Sequence, residues 1–156
     1  MTKLGKPEFS ARLKAGKTVW TAGAYDALSA KLAEEAGFGA VMSTGFGVSA
    51  SHLGMPDLEL YTATENLNVV RNMANAIDIP LIADADTGYG NAINVMRTVR
   101  DFEQGGVAAM IIEDQEVPKR CPAVANGVEL LPMDEGCAKI KAAVEARRDS
   151  NTLIIA

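Results

Sequence analysis

The sequence predicts an α/β chain of the (β/α)8 TIM-barrel type, incomplete, with about five strand–helix units. Three observations predict it. Short aliphatic or β-branched runs alternate with helical stretches, one unit every ~30 residues. The runs are apolar throughout instead of alternating, as in strands of a parallel sheet covered by helices. A complete barrel needs eight strands and roughly 250 residues; the chain has 156 and its last apolar run is still open at Ala156. A doubly wound open sheet is the other closure of this pattern. An unpaired terminal strand is an aggregation liability, which favours reading residues 1–156 as the N-terminal part of a single barrel domain.

Each element has its own signal. Residues 18–22 (TVWTA) read as the first strand. Residues 26–36 follow as a helix of Ala and Leu that stops at Gly37. Residues 40–43 (AVMS) form the second strand. Thr62 and Glu65 make a capping box for a helix that runs to about Ile77, ahead of Pro80. Residues 80–84 (PLIAD) are the third strand, and a helix over 91–104 ends at Gly105-Gly106. Residues 108–112 (AAMII) are the fourth strand, 133–147 a helix, and 152–156 the start of a fifth strand.

Composition narrows the function. Lys plus Arg number 15 against 20 Asp plus Glu, a net charge of −5, which argues against a nucleic-acid partner. No apolar run approaches the ~20 residues of a membrane span, and the charged first 17 residues lack a secretory h-region. Two cysteines, Cys121 and Cys137, are too few for a disulfide framework, so a reduced, cytoplasmic chain is expected. The single histidine, His52, excludes a multi-histidine zinc site and reads as a loop or interface residue.

In parallel α/β folds chemistry sits beyond the C-terminal ends of the strands. There the sequence places Ser43-Thr44-Gly45-Phe46-Gly47, Asp84-Ala85-Asp86-Thr87-Gly88-Tyr89-Gly90 and Glu113-Asp114-Gln115. Asp84 and Asp86, two apart, point the same way if the strand continues, and Glu113 adds a third carboxylate. Clustered carboxylates need a compensating cation or proton; all-oxygen donors suit Mg²⁺, or Mn²⁺. The bland alternative is a helix-capping Asp pair. Thr44-Gly45-Phe46 is either a turn or a cradle for a small anion. Asp57, after Pro56, caps the next segment or faces the metal. The loop over 116–132 has the length of a lid. In it, Lys119 and Arg120 favour the thiolate of Cys121, making Cys121 a candidate proton donor or nucleophile. Cys137 falls in the apolar pattern of the next helix and is expected in the core.

These segments, together with Leu53-Gly54-Met55-Pro56-Asp57 and Lys119-Arg120-Cys121, resemble the isocitrate lyase/phosphoenolpyruvate mutase superfamily, in order, from about Phe9 to Ala156. The resemblance implies a (β/α)8 barrel, a homo-oligomer (commonly a tetramer), Mg²⁺ as cofactor and a small carboxylate as substrate. By position it implies that Asp84, Asp86 and Glu113 hold the metal. Thr44, Gly45 and Phe46 bind the substrate carboxylate, Tyr25 lines the pocket, and Asp57 lies nearby among the substrate-binding groups. Lys119 and Cys121 are catalytic and sit on a gating loop. The cysteine is that of the carbon–carbon lyase branch, which points to cleavage of a 2-hydroxy di- or tricarboxylate to a 2-oxo acid and a second carboxylate. Where those lyases carry Gly-His after the cysteine, this chain has Pro122-Ala123, which argues against isocitrate or methylisocitrate as the substrate; the longer stretch over 122–127 points to a different lyase subgroup, dimethylmalate-type or one not yet characterised. The family arginine after the fifth strand would follow Ala156, so these residues alone are expected to be nearly inactive. The alternatives are phosphoenolpyruvate mutase, phosphonopyruvate hydrolase or oxaloacetate hydrolase chemistry, and a non-catalytic binding module.

Overall fold

The computed structural model describes residues 4–117, 119–120 and 127–156. Among them the elements run α1 (Lys6–Lys14), β1 (Thr21–Ala24), α2 (Ala27–Glu35), β2 (Ala40–Ser43), α3 (Gly45–Val48), a π-helical turn (Ser49–Leu53), α4 (Ala63–Ala76), β3 (Leu81–Asp84), α5 (Ala92–Gln104), β4 (Ala109–Ile111), α6 (Met133–Ala146) and β5 (Leu153–Ile155). The strands form one parallel sheet in the order β1-β2-β3-β4-β5. A doubly wound sheet reverses its strand order at a switch point. Here each strand is added beside the last without reversal, which is the barrel-type winding.

The helices begin where the capping chemistry places them. Asp26 accepts the Ser29 N–H, Thr62 the Glu65 N–H, and Asn91 the Ile93 N–H. On α5 the buried residues are Val95, Thr98, Val99 and Phe102, one face of a 3.6-residue period. The outer sheet face (Val41, Leu81, Ala83, Met110) packs under the helices with Val70, Met73, Val99 and Phe102. A smaller inner cluster joins Ala40, Ile82, Ala108 and Ala109 to Phe9 of α1. Among the described residues no helix is long and apolar enough to cross a membrane.

Two expectations are corrected and one element is added. β1 spans Thr21–Ala24 rather than 18–22, because its ladder to β2 runs from Thr21–Ala40 to Ala24–Ser43; Trp20 stays outside it, 78% exposed. The N-terminal residues, read as mixed and charged, form α1, started by Pro7 and held by the buried Phe9. Cys137 is exposed, not in the core. The buried stripe of α6 is Lys139, Ala143 and Ala146. Cys137 instead lies with Met133, Ile140 and Val144 along an open apolar cleft.

Candidate active site

Alternation along the strands decides which side chains face inward. Ile82 belongs to the inner cluster, so Asp84, two residues on, shares its side of the sheet. The end of β3 is pinned by Ser43 of β2, whose hydroxyl oxygen accepts the Asp84 N–H at 2.9 Å. Asp84 Oδ2 accepts the Gly45 N–H at 2.8 Å. Only glycine permits this approach: a Cβ at position 45 would lie 2.7 Å from the Tyr61 hydroxyl and 2.9 Å from Asp84 Oδ2.

The strand does not continue to Asp86, contrary to the extended-chain expectation. Asp86 is left-handed, at φ 49°, and its N–H turns back to donate to Asp84 Oδ1 at 3.1 Å. The two carboxylates are neighbours through this turn, not through pleat alternation. Asp86 is fully buried. Its Oδ2 accepts from the Tyr61 hydroxyl at 2.6 Å and the Tyr89 hydroxyl at 2.9 Å. Asn66 of α4 donates to the Asp84 carbonyl at 2.8 Å and to the Tyr89 hydroxyl at 2.7 Å.

Lys119 stands at the centre. It is 3% exposed, and its ammonium lies 2.8 Å from Asp86 Oδ1, 3.2 Å from Asp57 Oδ2 and 3.2 Å from Glu113 Oε1. The base of the long loop aims it inward: the Glu116 N–H donates to the Glu129 carbonyl, the Leu131 N–H to the Asp114 carbonyl, and Arg120 pairs with Glu129. Gln115 donates to Glu113 Oε2 at 2.6 Å. Burial lowers the affinity of Lys119 for its proton, but Asp86, with Glu113 and Asp84, more than offsets this and holds it above its ordinary value. Burial, reinforced by Asp86, pushes Asp84 up to about 6 against the Gly45 N–H and Lys119. The Tyr61 and Tyr89 phenols are raised by burial and by Asp86 and stay protonated donors.

Of the residues singled out in the sequence, Asp57, Asp84, Asp86, Glu113 and Lys119 meet here. Asp57 faces the cluster rather than capping a helix. Thr44 accepts the Gly47 N–H at 3.2 Å and caps α3, its own hydroxyl proton remaining to donate. Gly45 spends its N–H on Asp84. Phe46 is 56% and Tyr25 45% exposed; Tyr25 lies against Gly47, whose backbone leaves no room for a Cβ there. His52 is exposed in the π-helical turn. Cys121 lies outside the described residues. Sequence reasoning missed Tyr61, Asn66 and Tyr89; only Tyr89 had a signal, its place in the Asp84–Gly90 run.

The donor set fits a hard divalent cation. All its donors are oxygens, and Asp57 Oδ1 is buried without a hydrogen-bond partner. Among the described residues no three acidic, His or Cys groups stand as a ready cage; the Lys119 ammonium lies where Asp57, Asp86 and Glu113 converge.

Fold and site thus define an α/β chain of barrel-type winding whose strand-end carboxylates gather round a positive charge. The family model described as phosphoenolpyruvate phosphomutase matches residues 9–156. The chain is 48% identical over 144 residues to the 2,3-dimethylmalate lyase of Eubacterium barkeri, covering 92% of this chain and 50% of that protein. It is 43% identical over 138 residues to the isocitrate lyase of Haloferax volcanii, covering 88% and 40%. A crystal structure of phosphonopyruvate hydrolase with oxalate and Mg²⁺ superposes with a TM-score of 0.86 at 38% identity, covering 97% and 51%. The chain belongs to the isocitrate lyase/phosphoenolpyruvate mutase superfamily. It spans about half the length of these relatives.

Proposed function

We propose that the full-length protein is a Mg²⁺-dependent carbon–carbon lyase that cleaves a 2-hydroxy di- or tricarboxylate to a 2-oxo acid and a second carboxylate. The described residues would form the N-terminal part of its single barrel domain. The observation that carries the reading is the convergence of Asp57, Asp86 and Glu113 on one buried cation beside Asp84. The 48% identity to a dimethylmalate lyase supports the substrate class, and the Mg²⁺ and oxalate of the phosphonopyruvate hydrolase structure support the metal and a small carboxylate ligand.

Asp84, Asp86 and Glu113 would hold the metal, which when bound supplies neutralisation of the charge developing on the substrate oxygen. The chain's own groups do the rest. Gly45 and Ser43 lock Asp84 in place, and the two tyrosines lock Asp86. The Thr44 hydroxyl and the Phe46 N–H orient the substrate carboxylate, with Tyr25 at the rim and Asp57 at the inner wall. A base of the site takes the substrate hydroxyl proton as the bond breaks, and Cys121, next to Lys119 and Arg120, gives a proton to the departing carbanion. A homotetramer, a cytoplasmic location and the absence of nucleic-acid or membrane partners belong to the same reading.

The test is a panel of 2-hydroxy di- and tricarboxylates with the full-length protein, with and without Mg²⁺, read as 2-oxo acid release. Dimethylmalate-type substrates are expected to turn over. Asp84→Ala should abolish activity, and Cys121→Ser should lower kcat far more than it raises KM. No 2-oxo acid from any of the hydroxy acids would overturn the lyase reading. Phosphonopyruvate and oxaloacetate belong on the panel because the matching family model is that of a phosphomutase; turnover of phosphonopyruvate alone would replace C–C by P–C chemistry.

A further inference from the structure

A second cavity, of about 700 Å³, opens on the far side of the two tyrosines, between the loop before α4 and the first turns of α6. Its walls include Glu59, Tyr61, Tyr89, Glu116, Glu135 and Lys139. The lyase reading uses neither Glu59 nor Lys139. Lys139 is 3% exposed, yet among the described residues no hydrogen bond or ion pair reaches its ammonium. Its charged neighbours, Glu59 and Glu135, act on it only at longer range, and burial pulls its pKa below the ordinary value. Across the cavity Glu59 gives Oε1 to the Thr87 hydroxyl at 2.9 Å, while Oε2 is buried without a partner.

An unpaired buried charge is costly. Here the buried Lys139 and the half-buried Glu59, of opposite sign, line the same cavity without meeting. A ligand that joined them would present an acceptor to Lys139 and a donor to Glu59. Three glutamates against one lysine make the lining net negative, which disfavours a simple anion. The half-buried Tyr89 ring in the wall suits an alkylammonium. We propose that this cavity is a second ligand site that takes a small zwitterion of the α-amino acid class, its carboxylate on Lys139 and its ammonium on Glu59. The site is distinct from the carboxylate cluster but shares Tyr61 and Tyr89 with it, and it requires no lyase activity.

The experiment is calorimetric titration of the full-length protein with L-alanine, and with acetate and methylammonium as its two halves. Alanine is expected to bind saturably and each half at least about tenfold more weakly. Lys139→Met and Glu59→Gln should each weaken alanine at least about tenfold, and Asp84→Asn should leave it within about twofold. Circular dichroism checks folding of each variant; Glu59→Gln, at a half-buried position, keeps the test decisive if Lys139→Met does not fold. No saturable binding of alanine, binding indifferent to Glu59→Gln, or binding abolished by Asp84→Asn would each overturn the assignment.

Discussion

Lys119 and Gly45 show how little latitude single residues have at this site. Lys119→Met would leave Asp57, Asp86 and Glu113 facing one another without a counter-charge, a change that costs roughly 3–5 kcal/mol in buried pairs. In the full-length protein its Tm should fall and become dependent on added Mg²⁺, far more than that of the parent; a Tm indifferent to both would contradict the central placing of the ammonium. Gly45→Ala drives a methyl group against the Tyr61 hydroxyl and Asp84. It should cost about 1–3 kcal/mol by overpacking and displace both carboxylates, so turnover should fall well beyond the stability loss. Asp84, pushed up to about 6, is protonated below that value and ionised above it. Apparent Mg²⁺ affinity should therefore weaken as pH falls from 7 to 5; a flat titration over that range would refute it. The grouping of Asp84, Asp86 and Glu113 was legible because they stand at the ends of adjacent strands. The place of Lys119 as the counter-charge at the centre of the carboxylates was not, because a position in a long loop carries no period, and the left-handed turn at Asp86 was hidden in a run that read as extended.

The elements divide in the same way. Helices α2, α4 and α5 were legible to within a residue or two because Asp26, Thr62 and Asn91 cap them. Helix α1 was missed because its hold on the protein is mainly one side chain, Phe9, amid charged neighbours. The short α3 was missed because Gly-Phe-Gly has poor helix propensity and folds only under the Thr44 cap. Thr62→Ala should lower stability by about 1 kcal/mol, read by denaturant titration. The turn from α6 to β5 is held by Glu103 of α5, which accepts the Arg148 and Asp149 N–H groups and the Thr152 hydroxyl. Burial works to raise Glu103, but these donors outweigh it and hold the carboxyl below its ordinary 4.5. A depressed folded-state pKa means stability that is present above the unfolded value and lost as pH falls through the folded one. Glu103→Ala should therefore destabilise the protein by roughly 1–2 kcal/mol at pH 7, with the gap between variant and parent closing as pH falls below the ordinary carboxylate value.

At the scale of the molecule, barrel-type winding was legible from five apolar runs, and the sequential strand order bears it out. Among the described residues β1 and β5 each have one strand neighbour, and Trp20, beside β1, is 78% exposed. The 156-residue chain should accordingly show red-shifted, readily quenched tryptophan emission; a blue, quencher-resistant spectrum would show that Trp20 is covered. The non-glycine left-handed residues among those described are Glu59, Asp86 and Tyr89, all at or beside the carboxylate cluster. Asp86 and Tyr89 are repaid by hydrogen bonds on the cluster. Glu59 is not repaid in full: its backbone is left-handed, one carboxylate oxygen is orphaned and burial raises its pKa. Such a position is frustrated, and frustration has a signature in a mutational scan. Glu59→Asn, better suited to the backbone, should raise cellular abundance while lowering any selected function of the cavity, so the two scores should part in sign at residue 59 and move together at the buried positions of α5.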